Sequence, residues 1–249
     1  MPPSQQKHHA RYDPWTSSTW KTLDGYNFSI SYADGSRVSG FVGTDVVDIG
    51  GATVTSQAIG LPTYVSGHIR RDTDSDGIIG LSFSSINTIH PKKQNTFFDN
   101  VSGSLAEPVL TANLKHNTTG FYEFGKIDRS IFKGELHWAP IFNDGYWRIL
   151  SIFFGVGSRP EDVRLNPNPN STTAIADTGT SLMLVDPFVA HTYYEAVPNA
   201  RRDPDLGNST IFPCDTKLPD FQVALGLNYM ATIPGYLMNF AELGNNSEF

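Results

Sequence analysis

Apolar and polar residues alternate at residues 26–31, where Tyr26, Phe28 and Ile30 share one face and Asn27, Ser29 and Ser31 the other. That period of two belongs to a half-buried strand. With a second strand at 38–49 it brackets Tyr32-Ala33-Asp34-Gly35-Ser36, and strand, Asp-Gly turn, strand predicts a β-hairpin. Farther along, Ala174 and Ala176 alternate with Thr173, Ile175 and Asp177, so a strand runs into Asp177-Thr178-Gly179, and a second apolar run, 182–185, leaves it. Strands are also expected at 121–127, 134–141 and 146–152, a final hairpin at 221–227 and 229–233, and a short buried strand at 78–81 whose Gly80 admits a close backbone. Two segments have helical spacing. Thr96 can cap a helix carrying Phe97, Phe98, Val101 and Leu105, and Asp186-Pro187 supplies a cap and first-turn proline for 188–197. Residues 2–20, 158–171 and 201–209 read as loops. The pattern is all-β with two short helices.

Composition agrees with many short strands: Gly, Pro, Ser and Thr are abundant and charged residues make up 17% of the 249 positions. That length suits one large β domain or two smaller lobes. A net charge of −7 without a basic patch argues against a nucleic-acid partner, and no apolar run reaches the length of a membrane helix. Asn-X-Ser/Thr sequons at Asn27, Asn100, Asn117, Asn170, Asn208 and Asn245 point to an extracellular, secreted glycoprotein. No signal-peptide pattern opens the chain, and Cys214, its single cysteine, has no partner; a chain incomplete at its ends accounts for both.

The candidate chemistry centres on Asp177. Flanked by apolar chain, its carboxylate is expected to be buried, and a buried carboxylate is costly unless paired or sharing a proton. The plainer alternative is a turn in which Asp177 bonds its own backbone. Other chemistries fail. Residues 80–84 lack the closing glycine of a nucleophile elbow, and Gly155-Val156-Gly157 lacks the third glycine and the setting of a dinucleotide site. His8 and His9 adjoin in a polar loop, the other histidines are scattered, and neither a metal nor a cofactor is expected.

Several segments in order carry a resemblance: 30–40 (Ile-Ser-Tyr-Ala-Asp-Gly-Ser-Arg-Val-Ser-Gly), 76–87 (Asp-Gly-Ile-Ile-Gly-Leu-Ser-Phe-Ser-Ser-Ile-Asn), 121–128 (Phe-Tyr-Glu-Phe-Gly-Lys-Ile-Asp), Tyr146-Trp147, 177–181, and 214–221 (Cys-Asp-Thr-Lys-Leu-Pro-Asp-Phe). Together they resemble the pepsin-like (A1) aspartic endopeptidases, closest to secreted fungal enzymes of the penicillopepsin and aspergillopepsin kind. The resemblance implies a bilobal double-β-barrel, with 1–128 the later part of the N-terminal lobe and 129–249 the earlier part of the C-terminal lobe. It makes Asp177 the catalytic aspartate of the second lobe and Tyr32 the flap tyrosine, with Ala33, Asp34, Gly35 and Ser36 around the flap tip. Phe98 would wall a pocket, Tyr146 and Ile175 would line the leaving-group side, and Gly179 and Thr180 would bond substrate backbone. An aspartate at the position of Asp34 implies acceptance of a basic side chain before the cleaved bond, besides large apolar ones. Substrates would be proteins and peptides, and the full-length parent a monomer.

The family's mechanism uses two aspartates that share one proton, one acting as base on a water and the other as acid. Here the chain departs from the pattern: no second Asp-Thr/Ser-Gly occurs. The first-lobe motif, the Trp-containing strand after it and the C-terminal segment with the cysteine that would pair with Cys214 are all absent. The chain therefore resembles the middle of the fold, is expected to be truncated at both ends, and is expected to be inactive as it stands. A retroviral-type protease fits poorly, because there the flap follows its own Asp-Thr-Gly in a much shorter chain. The remaining alternative is a non-catalytic pepsin-fold binding or inhibitor protein.

Overall fold

The computed structural model describes residues 10–67, 69–72, 74–159 and 161–239. It divides into two compact units, Met1–Lys133 with Asp144–Tyr146, and Gly134–Asn143 with Trp147–Phe249. His8, His9 and the Asn245 sequon lie outside the described residues.

The first unit is built on β1 (Lys21–Ser31), β2 (Arg37–Ile49) and β3 (Ala52–Val65), joined at the far edge by the short β4 (Ile89–His90) in the antiparallel order β3-β2-β1-β4. The alternation at 26–31 does what its period dictates: Phe28 is buried with Val42 and Ile89, while Asn27 and Ser29 face solvent. Pro62 in β3 is tolerated because β3 is an edge strand, and the ladder shifts register beside it. Helix α1 (Phe97–Val101) starts where expected, with the Thr96 hydroxyl accepting from Asp99 N–H at 3.3 Å. Phe97 and Val101 are buried against Val54, and the Phe97 ring meets Phe124 edge-on at 5.4 Å. Phe124 belongs to β6 (Phe121–Phe124), which pairs with β5 (Leu110–Asn113).

The leading segment is fastened to this sheet. The hydroxyls of Tyr12 and Thr19 both donate to Asp45 of β2, which also accepts from Val46 N–H at 2.7 Å. These donors, Thr19 foremost, then Tyr12 and Ser17, hold the buried Asp45 carboxyl well below the ordinary carboxylate range. Burial, reinforced by the hydrogen bond to Asp45, pushes the Tyr12 phenol up to about 12.

The second unit contains the antiparallel pair β7 (Arg148–Leu150) and β10 (Thr173–Ile175). Its main sheet joins β8 (Phe153–Val156), β9 (Arg164–Pro167), β13 (Phe221–Ala224) and β14 (Met230–Ile233) in the order β14-β13-β8-β9. Helix α2 (Pro187–Glu195) has Asp186 accepting from Phe188 N–H at 2.8 Å, with Pro187 in the first turn. Its buried Val189 and Tyr193 pack with Phe154, Val156, Leu218 and Phe221. A separate hairpin joins β11 (Arg201–Asp203) and β12 (Ser209–Ile211).

Several expectations are corrected. Residues 78–81 form no strand, and Ile78 and Ile79 are exposed, because the run joins no ladder among the described residues. Residues 134–141 are irregular apart from one bridge, Ile141 to Ile149; Pro140 lacks a donor, and Trp138 is 79% exposed. The stretches expected as loops at 158–171 and 201–209 contain β9, β11 and the start of β12.

Candidate active site

The turn between β1 and β2 closes on itself. Tyr32 N–H donates to Ser36 O at 2.9 Å and Gly35 N–H to Tyr32 O at 3.0 Å, with Gly35 at φ +81°. Asp34 Oδ1 accepts from Ser36 N–H and Oδ2 from the Ser36 hydroxyl, both at 2.8 Å. The loop therefore carries an Asx turn, an aspartate bonding backbone two residues on. Ser36, expected at the flap tip, is fully buried at 0% exposure, whereas Ala33, Asp34 and Gly35 are exposed and Tyr32 is half-buried. Burial, followed by the neighbouring charge of Asp34, raises the Tyr32 phenol above its ordinary range.

The loop is braced from behind by residues the sequence reading did not single out. Ser66 N–H donates to Arg37 O at 2.9 Å, and Arg37 N–H to the Ser66 hydroxyl at 3.1 Å. Gly67, at φ +68°, lies so close that a Cβ there would stand 2.3 Å from Ser36 Oγ. The Ser-Gly pair was the available signal, since such dipeptides mark turns.

In the second unit, β10 delivers Asp177. Ala176 N–H donates to Trp147 O at 3.0 Å, which anchors the last peptide before the turn. Asp177 Oδ1 then accepts from Gly179 N–H at 2.9 Å and Oδ2 from the Thr180 hydroxyl at 2.5 Å. Two donors from its own turn thus orient the carboxylate plane, and each oxygen keeps a further lone pair.

The expectation of burial fails here: Asp177 is exposed. The apolar run 182–185 is exposed as well, Leu184 by 73%, and forms no strand. The reason is layering. Among the described residues β10 pairs with β7 alone, so no layer covers the flanks. An oriented, solvent-facing carboxylate can take or give one proton, and one group cannot be base and acid in the same step.

The remaining predicted residues separate. Ile175 is exposed and pairs with Arg148 in the β10–β7 ladder, beside the Asp177 turn. Phe98 is a core residue of the first unit, its ring 6.4 Å from Phe124. Tyr146, also in the first unit, is partly exposed, and its N–H donates to Asp144 Oδ1 at 3.2 Å. Asp177, Ile175, Gly179 and Thr180 thus share one unit, and the Tyr32–Ser36 loop, Phe98 and Tyr146 the other. Among the described residues no group of three or more His, Cys, Asp and Glu is placed to hold a metal ion. Cys214 is an exposed free thiol.

Comparison with known proteins bears on this arrangement. Aspartic protease PEP3 of Coccidioides posadasii is 47% identical over 241 residues, which is 96% of this chain and 54% of that protein. Penicillopepsin-1 of Penicillium janthinellum is 43% identical over 248 residues, 99% of this chain and 73% of that protein. The chain spans about half the length of the first curated relatives it matches. The crystal structure of the aspartic proteinase from Irpex lacteus superposes with a TM-score of 0.74 at 23% identity, covering 91% of this chain and 66% of that one. At that identity the likeness concerns the fold, which is pepsin-like. The family model for eukaryotic aspartyl proteases matches residues 2–247. The chain belongs to the eukaryotic aspartyl protease family.

Proposed function

We propose that this chain is part of an aspartic-type endopeptidase acting on proteins and peptides, with Asp177 as one of its two catalytic carboxylates. The observation that carries the reading is the Asp177 turn: an exposed carboxylate whose two oxygens are held by Gly179 N–H and the Thr180 hydroxyl. A second aspartate brought close would share one proton with it, because close like charges do not both ionise. The deprotonated partner then draws a proton from water as it attacks the peptide carbonyl, and the protonated partner donates to the reacting group. In this reading Tyr32, Ala33, Asp34, Gly35 and Ser36 form the flap, Tyr146, Ile175 and Phe98 shape substrate pockets, and Gly179 and Thr180 meet substrate backbone. The test is Asp177→Asn in the active protein. Hydrolysis of denatured haemoglobin at acid pH should fall by about 10²–10⁴-fold with substrate binding retained. An unchanged rate would refute the assignment of Asp177 as a catalytic carboxylate.

The protein is further read as secreted, glycosylated and monomeric at full length. The sequons support the first two properties. An immunoblot of culture medium against cell lysate from the native organism checks the localisation, and recovery from the cytosol alone would overturn it.

A further inference from the structure

We propose that Asn117 and Asn208 are N-glycosylated in the folded protein, one on each unit, and that Asn100 is a sequon the fold disfavours. The inference rests on the secreted reading above and goes beyond it by choosing among the sequons.

Asn117 lies in the connection between β5 and β6, and Asn208 in the connection between β11 and β12. Both are exposed, and both adopt left-handed backbone, at φ 52° and 62°. Asparagine tolerates that conformation better than most residues. Asn208 N–H closes its turn on Asp203 O at 2.9 Å, so the backbone holds the loop without the side chain. Neither side-chain amide makes a hydrogen bond among the described residues. Asn199, the remaining non-glycine residue with positive φ among those described, is followed by Ala200-Arg201 and is no sequon.

Asn100 is exposed too, but its amide is engaged on both sides. It lies in α1, its Nδ2 donates to Gln57 Oε1 at 2.9 Å, and its Oδ1 accepts from Asn95 Nδ2 at 3.1 Å. Gln57 is itself buried in the sheet behind. Nδ2 faces that buried amide, so a sugar attached there competes with the contact to Gln57. Asn170 is exposed but has its Nδ2 bonded at 3.0 Å to Asp186, the cap of α2.

The donor is a polyprenyl-pyrophosphate-linked oligosaccharide of the secretory pathway. The asparagine Nδ2 attacks the anomeric carbon and a C–N bond forms. The C–O bond to pyrophosphate breaks, the lipid pyrophosphate leaves, and Nδ2 gives up one proton. A glycan at each tip covers a hairpin end, where exposed chain is most readily nicked.

To test this, the full chain is expressed behind a cleavable secretory leader in a yeast. Soluble product is then deglycosylated in heavy-oxygen water, which marks each formerly occupied asparagine as labelled aspartate. The label should appear on Asn117 and Asn208 in most molecules and be absent from Asn100. Thr119→Ala and Thr210→Ala, which leave both turn asparagines in place, should each remove one step of gel mobility, and Ser102→Ala none. An unlabelled hairpin tip, or label on Asn100 in soluble protein, overturns the inference. Because the leader is supplied, this result is independent of where the native protein resides, so the two readings fail separately.

Discussion

At the hairpin tip the carboxylate of Asp34 is held by Ser36 through both N–H and hydroxyl, which makes it a turn residue whatever else it does. Its charge is nevertheless exposed at the loop and can attract an ammonium group. Asp34→Asn separates the two roles, because the amide oxygen still accepts from Ser36 N–H while the charge is gone. In the active enzyme, kcat/KM should fall for peptides with Lys before the cleaved bond and hold for Phe. Equal losses on both would make Asp34 a turn residue alone. Asp45 gives a pH prediction. Its pKa is lowered in the folded state, so its stabilisation is fully present above about pH 3.9, the unfolded value, and is lost as pH falls through the depressed value. Tyr12 works in the other sense, stabilising below about pH 10 and losing that contribution as pH rises through about 12. Asp45→Asn should release residues 10–20 to limited proteolysis at neutral pH and remove the acid dependence of that release. A cleavage pattern like that of the unsubstituted chain at every pH would contradict the clasp.

Among elements, the most legible were those whose local chemistry is self-sufficient. Helices α1 and α2 announce themselves by Thr96 and by Asp186-Pro187, and the caps are observed. The β1–β2 hairpin shows its period and its Asp-Gly turn. Strands β3 and β9 were hidden because Pro62 and Pro167 interrupt the pattern and are admissible only at a sheet edge, a tertiary fact. Strand β11, Arg-Arg-Asp, has no apolar face to detect. In the site, the Asp177 turn was readable from its tripeptide and flanks. Its exposure was not, since apolar flanks mean burial only where a second layer covers them. The Ser66-Gly67 dipeptide marks a turn, but that this turn braces Ser36 and Arg37, far back along the chain, is a tertiary fact. At this scale Phe221 tests the second core. It is 2% exposed, with its ring 6.1 Å from both Phe154 and Tyr193. Phe221→Ala should cost about 3–5 kcal/mol, and hydrogen exchange should quicken across β8, β13 and β14. Unchanged protection there would mean that the α2 packing is not what holds the sheet.

For the whole molecule, the run of Leu182, Met183, Leu184 and Val185 is decisive: four consecutive apolar side chains, all exposed. Single exposed apolar residues are ordinary, but a continuous run is a surface that associates. The 249-residue chain should bind the dye ANS at neutral pH and elute ahead of a monomer on size exclusion, and Leu182→Ser with Leu184→Ser should reduce both effects. Dye binding unaffected by the double substitution would place the exposed surface elsewhere. The same chain offers one Asp-Thr-Gly, so it should show no pepstatin-sensitive cleavage of casein at acid pH; cleavage above background would break the two-carboxylate account.

The brace behind the hairpin loop has a thermodynamic consequence. Fixing the backbone of a single residue costs on the order of 1–2 kcal/mol in lost conformational freedom, and a loose loop ordered by its ligand takes that cost out of affinity. With Ser36 fully enclosed and Arg37 bonded twice to Ser66, the loop is already ordered when folding ends. If the loop is the flap proposed above, a peptide that meets it would meet a preformed surface, and the hairpin's contacts would go into holding the peptide and not into taming the loop.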